Sequence, residues 1–311
     1  MGKQTSTSLS LHPPEIVMGT WAWGDRWVWG YKSSQDNILH DTFTHSVEKG
    51  VRFFDTAEVY GPWKSERLIG TFAKHSPTPI QIATKFMPLP WRLTRTSLLT
   101  ALKGSLARLG VPSVDLYQIH FPIPPISVET WMEAMVEAVA AGLTQNVGVS
   151  NYDVHRMYRA HTVLNRNDIS LFSNQVEYSL LQKRPEHSGL LKECREIGTV
   201  LLAYSPLAQG VLTGKYSSSN PPPGWRRLFK TPRMLDRIQP LLDLMHEIGS
   251  RYTGVTLAQI ALNWCICKGV IPIPGAKTPE QAIENAGATG WRMTDQEVNA
   301  LDEMSDWVQA S

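Results

Sequence analysis

Eight short apolar runs alternate with amphipathic segments along the chain, and this alternation constrains the fold more than any other feature. The runs are IVMGTW (16–21), VRFFDTA (51–57), IQIATKF (80–86), VDLYQIH (114–120), QNVGVSN (145–151), FSNQVEYS (172–179), VLLAYSPL (200–207) and VIPIPGA (270–276). Runs this short and this continuously apolar suit strands buried on both faces of a parallel sheet. Helical patterns separate them. Residues 35–49 end at Gly50 and residues 94–109 at Gly110, both plausible C-caps. Ser127 opens a helix with Glu129 in its first turn. Residues 153–164, 189–197 and 256–268 continue the alternation, and two helical segments follow the last strand. Eight strands alternating with helices predict a single α/β domain over 1–311, a (β/α)8 TIM barrel, with residues 1–14 as a flexible tail. The Pro-rich segment SSSNPPPGWRR (217–227) reads as a long loop after the seventh strand.

Composition narrows the function classes. A net charge of +2, with no dense basic run, argues against a nucleic-acid partner. No apolar run reaches bilayer-spanning length. Three cysteines form no disulfide framework, and Cys265-Ile266-Cys267 in an apolar helical run reads as a buried structural pair. No His, Cys or Glu cluster has metal-ligand spacing, so no metal is expected. MGKQTS formally fits an N-myristoylation pattern, but a Ser/Thr-rich tail is the preferred reading. The expected location is the cytoplasm, or the plastid stroma if a transit segment has been removed. Oligomeric state is left open.

A barrel of this kind builds its chemistry at the C-terminal ends of its strands. The second run carries Asp55 and is followed by Tyr60, the third carries Lys85, and the fourth ends at His120. Each alone has a bland explanation as a turn, packing or surface residue. Four titratable groups at three neighbouring strand ends are harder to dismiss.

With these residues in place, the chain resembles the aldo-keto reductase superfamily. The resemblance rests on FDTAEVYG (54–61), ATKF (83–86), DLYQIHFP (115–122), VGVSNY (147–152), NQVEYSLL (174–181), AYSPLAQGVLTGKY (203–216) and IPGAKTPEQAIEN (273–285), in the family's order across nearly the whole chain. GTWAWGDRWVWGY (19–31) and PIPGAK point to its bacterial and plastid oxidoreductases, including pyridoxal-reductase-like members. The resemblance implies NADPH-dependent reduction of a small-molecule aldehyde or ketone, with NADH as a second cofactor option. Tyr60 is the implied general acid, with Lys85 lowering its pKa, Asp55 holding Lys85, and His120 orienting the substrate oxygen. The alternative is a slowly turning-over nicotinamide-binding regulatory subunit like potassium-channel β-subunits. His120 argues against it, since those proteins carry Asn there. A cofactor-free isomerase barrel is a third and weaker option.

The same resemblance implies a cofactor site. Thr20 and Trp21 would border it. Ser150, Asn151 and Gln175 would contact the nicotinamide carboxamide, and Tyr204 would stack on the ring. Ser205, Pro206, Leu207, Gly210 and Lys215 would line the pyrophosphate. Gly275, Lys277, Gln281, Glu284 and Asn285 would form the adenosine pocket, with Lys277 meeting the 2′-phosphate. Many relatives carry Arg where Gln281 stands, which weakens the expected phosphate clamp. Arg226 or Arg227 would close over the cofactor. No G-x-G-x-x-G follows a strand, so a Rossmann site is excluded. Four of the eleven tryptophans fall in GTWAWGDRWVWGY. Trp21, Trp23, Trp63 and Trp91 are expected to wall the substrate site, whereas Trp27 and Trp29 either line it or pack the loop.

Overall fold

The computed structural model describes residues 13–223 and 230–310. Eight parallel strands run in sequential order around one sheet: β1 (Met18–Gly19), β2 (Phe53–Asp55), β3 (Gln81–Phe86), β4 (Val114–Ile119), β5 (Thr144–Ser150), β6 (Leu171–Glu177), β7 (Val200–Tyr204) and β8 (Ile271–Ile273). The ring closes where Val17 N–H donates to Pro272 O at 3.0 Å and Gly19 N–H to Pro274 O at 2.9 Å. This is the expected (β/α)8 barrel. The structure shortens β1 to two residues, because the chain turns at once: Trp23 N–H donates to Thr20 O at 2.9 Å.

The helices are α1 (Asp36–Glu48), α2 (Lys64–Lys74), α3 (Arg95–Leu109), α4 (Val128–Ala140), α5 (Val154–Asn165), α6 (Arg184–His187) and α7 (Leu190–Glu196). After the seventh strand come α8 (Pro232–Arg237), α9 (Gln239–Ser250), α10 (Leu257–Cys267), α11 (Pro279–Ala286) and α12 (Asp295–Ala310). Ser127 caps α4 as expected, and other helices begin in the same way. The side chains of Thr94, Ser127, Asp153 and Thr256 each accept the backbone N–H three residues on. Gly110, at φ 70°, ends α3. Helices α1, α2, α6, α7 and α9 begin without a side-chain cap, and the N-cap of α2 is Trp63 in the left-handed region at φ 66°. Among the described residues, no helix is long and apolar enough to cross a membrane. Cys265 is buried, Cys267 is half-buried, and Cys194, Cys265 and Cys267 are all free thiols. The N-terminal hexapeptide, Arg226 and Arg227 lie outside the described residues.

Strand periodicity divides the barrel interior into layers. Val17, Phe53, Ala83, Leu116, Leu202, Ile271 and Ile273 form an apolar plug. Two residues further along β2, β3 and β4 come Asp55, Lys85 and Gln118, all buried. The alternate residues, including Phe54, Ile82, Tyr117, Val147 and Val149, join the larger core between sheet and helices. The plug excludes water beneath the polar layer, so charges there are strongly coupled to one another.

Candidate active site

Asp55 and Lys85 are held together at the centre of this polar layer. Lys85, fully buried, donates through Nζ to Asp55 Oδ1 and to Thr56 O, the latter at 2.8 Å. The same ammonium donates to the Tyr60 phenol oxygen at 3.4 Å. Pairing supplies the compensation a buried cation requires. It also raises the Lys85 pKa: burial lowers it, but Asp55 and Tyr60 outweigh that.

Tyr60 follows β2 on a loop held from two sides. Glu58, almost fully buried, accepts from Arg92 through both carboxylate oxygens and from Met87 N–H at 2.8 Å. Gly61, at φ 55°, lies against the tryptophan loop so closely that a Cβ there would fall 2.3 Å from the Gly24 carbonyl carbon. Only glycine meets both requirements. Burial raises the Tyr60 pKa and the Lys85 charge opposes it, leaving the phenol above its ordinary value. The expected net lowering is therefore corrected: desolvation of the phenolate exceeds what the ammonium returns.

His120 follows β4, and its N–H donates to Phe86 O at 2.8 Å. Its ring stands edge-on to Tyr60, with centroids 5.7 Å apart, and stacks on Phe121. Burial, aided by the Lys85 charge, lowers its pKa to about 3, so the imidazole is neutral at pH 7. Nδ1 is sealed and has no hydrogen-bond partner among the described residues.

The strand ends opposite form a linked amide set. Ser150 Oγ donates to Gln175 O at 2.8 Å, and Asn151 Nδ2 donates to Ser150 Oγ at 3.0 Å and to His120 O at 3.2 Å. Tyr204 donates its phenol proton to Asn151 Oδ1 at 3.1 Å. Asn151 (φ 61°) and Ser205 (φ 52°) are both left-handed at these strand ends. Strain at such positions is characteristic of functional loops.

The family model described as the aldo/keto reductase family matches residues 15–306. The chain belongs to the aldo/keto reductase family. Curated relatives include the chloroplastic pyridoxal reductase of Arabidopsis thaliana, 39% identical over 94% of this chain and 83% of that protein. An uncharacterized oxidoreductase of Mycobacterium tuberculosis is 36% identical over 93% of this chain and 88% of that protein. Among solved structures, a thermostable aldo-keto reductase in complex with the inhibitor epalrestat matches with a TM-score of 0.78 at 30% identity, covering 96% of this chain and 97% of that one. An aldo/keto reductase from Klebsiella pneumoniae in complex with NADP and acetate matches with a TM-score of 0.75 at 27% identity, covering 94% and 91%. Family membership makes the chain an NAD(P)H-dependent oxidoreductase.

For an aldo/keto reductase, the remaining expected residues fall into three groups. Thr20 is fully buried, and its hydroxyl donates to Asp55 O at 2.8 Å. It therefore braces β2. In the β7 loop, Ser205, Ala208, Gln209 and Gly210 all have positive φ, Pro206 is buried and Leu207 half-buried. The Lys215 ammonium lies over Gly210, where a Cβ would come within 2.9 Å of Nζ. Around β8 and α11, Gly275 and Lys277 are exposed and Glu284 is half-buried. Asn285 Nδ2 donates to Gly275 O at 3.3 Å. Gln281 Oε1 accepts Lys277 N–H at 2.8 Å, so its side chain caps the loop.

The tryptophans separate sharply. Trp21 is half-buried with its ring 6.3 Å from that of Tyr60. Trp23 is corrected from substrate wall to core: it is fully buried against Phe54 and Phe72, and Nε1 donates to Ala276 O at 2.8 Å. Trp63 and Trp91 border a cleft of about 520 Å³ along α3 that none of Asp55, Tyr60, Lys85 and His120 lines. Trp29 meets Trp21 edge-on at 5.5 Å, while Trp27 is 87% exposed. Sequence reasoning missed Glu58, Arg92 and Gln118. For Gln118 a signal existed, since it sits two residues before His120 on the same strand face.

Proposed function

We propose that this reductase converts an aldehyde or ketone to the alcohol with NADPH, using Tyr60 as general acid. The observation that carries the reading is the convergence of four residues from three adjacent strand ends: Lys85 hydrogen-bonds Asp55 and Tyr60, and the His120 ring stands edge-on to Tyr60. The residues present suit the cofactor. The Asn151 amide holds the phenol of the half-exposed Tyr204, and the left-handed turns at 205–210 with the Lys215 ammonium suit a pyrophosphate. Lys277 would meet the 2′-phosphate and favour NADPH over NADH.

When bound, the reduced nicotinamide supplies the hydride. The chain's own residues handle the oxygen and its proton. Lys85 donates to the Tyr60 oxygen, leaving the phenol O–H to face the substrate. The raised pKa keeps that proton in place at neutral pH. As negative charge grows on the substrate oxygen, Tyr60 transfers the proton, and the adjacent ammonium stabilises the phenolate left behind. His120, neutral and with Nδ1 sealed, presents Nε2–H to the same oxygen. Trp21 supplies a flat apolar wall beside Tyr60, which favours aromatic aldehydes. Pyridoxal, named for the Arabidopsis relative, is of this class.

The test is tryptophan-fluorescence titration with NADPH, followed by turnover of 4-nitrobenzaldehyde. Wild type should bind and reduce. Tyr60→Phe should retain NADPH binding and lose reduction. Equal loss of both would make Tyr60 a structural residue and overturn the assignment.

A further inference from the structure

Asp55 accepts more hydrogen bonds than the Lys85 pair requires. Its Oδ2 accepts from Gln118 Nε2 at 3.2 Å and from Gln175 Nε2 at 2.9 Å. Gln118 is fully buried, and its orientation is set rather than free. Ser173 Oγ donates to Gln118 Oε1 at 3.3 Å, which turns the amide so that its nitrogen faces Asp55. Register places Lys85, Gln118, Gly148 and Ser173 side by side across β3, β4, β5 and β6. Gly148 leaves the room this requires: a Cβ there would fall 2.4 Å from Ser173 Oγ and 3.1 Å from Gln118 Cγ.

We infer that Gln118, oriented by Ser173, is a positioning residue that tunes the acidity of Tyr60 through Asp55 and Lys85. The inference rests on Tyr60 being the acid. The Asp55 charge works against the Tyr60 phenolate, while the Lys85 charge works for it. A neutral amide donor on the other oxygen of Asp55 spreads that negative charge and adds no charge of its own. With the Asp55 charge so spread, more of the Lys85 field acts on the Tyr60 phenolate. Gln175 donates similarly, but the proposed cofactor site also calls on its amide. Gln118 has no such second task, being sealed inside the barrel.

Gln118→Met keeps length and volume while removing the donor. The pH profile of alcohol oxidation reads the effect, because Tyr60 phenolate is the base there. Its midpoint should move up by about one unit, and kcat for carbonyl reduction at pH 7 should fall roughly tenfold. KM and the NADPH dissociation constant should stay within about twofold, since Gln118 touches neither ligand. Ser173→Ala should shift the midpoint the same way by less, and it serves as the test should Gln118→Met fail to fold. An unmoved midpoint in a folded variant overturns the inference while leaving Tyr60 as the acid. Retained reduction in Tyr60→Phe removes the underlying reading instead.

Discussion

His120 should make the fold acid-sensitive by a calculable amount. Its pKa falls from the ordinary 6.5 to about 3 in the folded protein, mainly by burial. Between those values the unfolded chain holds a proton that the native state refuses, so stability falls as pH falls through that window. The slope is about 1.4 kcal/mol per pH unit, and going from pH 7.5 to 5.0 therefore costs about 2 kcal/mol from this residue. Other titrating groups contribute too, so the measurement is a difference. Urea unfolding of wild type and His120→Gln is followed by fluorescence and circular dichroism at a series of pH values. The stability gap between them should shift by about 2 kcal/mol against wild type at pH 5.0 relative to pH 7.5. Parallel curves would mean that His120 takes up its proton in the folded state at an ordinary pH. The neutral, hydrogen-bond-donating imidazole of the proposed mechanism would then be refuted at acidic pH.

The two tryptophans at the end of β1 should behave oppositely. Trp23→Ala should destabilise the protein by about 3–5 kcal/mol in urea unfolding, through the cavity it leaves, with KM for an aromatic aldehyde unchanged in the folded fraction. Trp21→Ala should cost little stability and raise that KM several-fold. Lys277→Ala should weaken NADPH about tenfold and NADH hardly at all, as read by fluorescence titration; equal weakening would dissociate Lys277 from the 2′-phosphate.

The legible part of this molecule is what strand period and chain order encode. Eight apolar runs marked the barrel, and the polar residues at the ends of β2, β3 and β4 marked the place where Lys85 now meets Asp55 and Tyr60. What stayed hidden depends on contacts between distant segments or on local breaks in period. Trp23 is expected at the catalytic face with Trp21 because both follow the first strand, but β1 stops at Gly19 and the following turn sends the second ring into the core. Helix α2 begins at a left-handed tryptophan rather than at a Ser, Thr, Asp or Asn cap. The Glu58–Arg92 pair that anchors the Tyr60 loop joins residues 34 positions apart, with no pattern in either segment. The direction of the Tyr60 pKa could not be read either, because sequence names the partner, Lys85, but not the depth of burial that opposes it.

The crowding of tryptophans between Gly19 and Tyr31 now divides into separate tasks along one loop. Trp23 fastens the loop to the barrel by filling the core and donating to Ala276 O, next to Lys277 in the β8 loop. Gly24, pressed against Gly61, ties the same loop to the one bearing Tyr60. Trp21 is thereby held beside the Tyr60 ring, and Trp29 braces it edge-on. The outer end of the chain is Lys277, whose ammonium lies 5.6 Å from the Trp29 ring centroid. A cation over an aromatic face is attracted by the ring quadrupole, so loop and β8 segment support each other. One short stretch thus connects the residue proposed to read the cofactor's phosphate with the ring proposed to wall the substrate. Large rigid side chains suit that span, because they bring much contact area with few torsions to order.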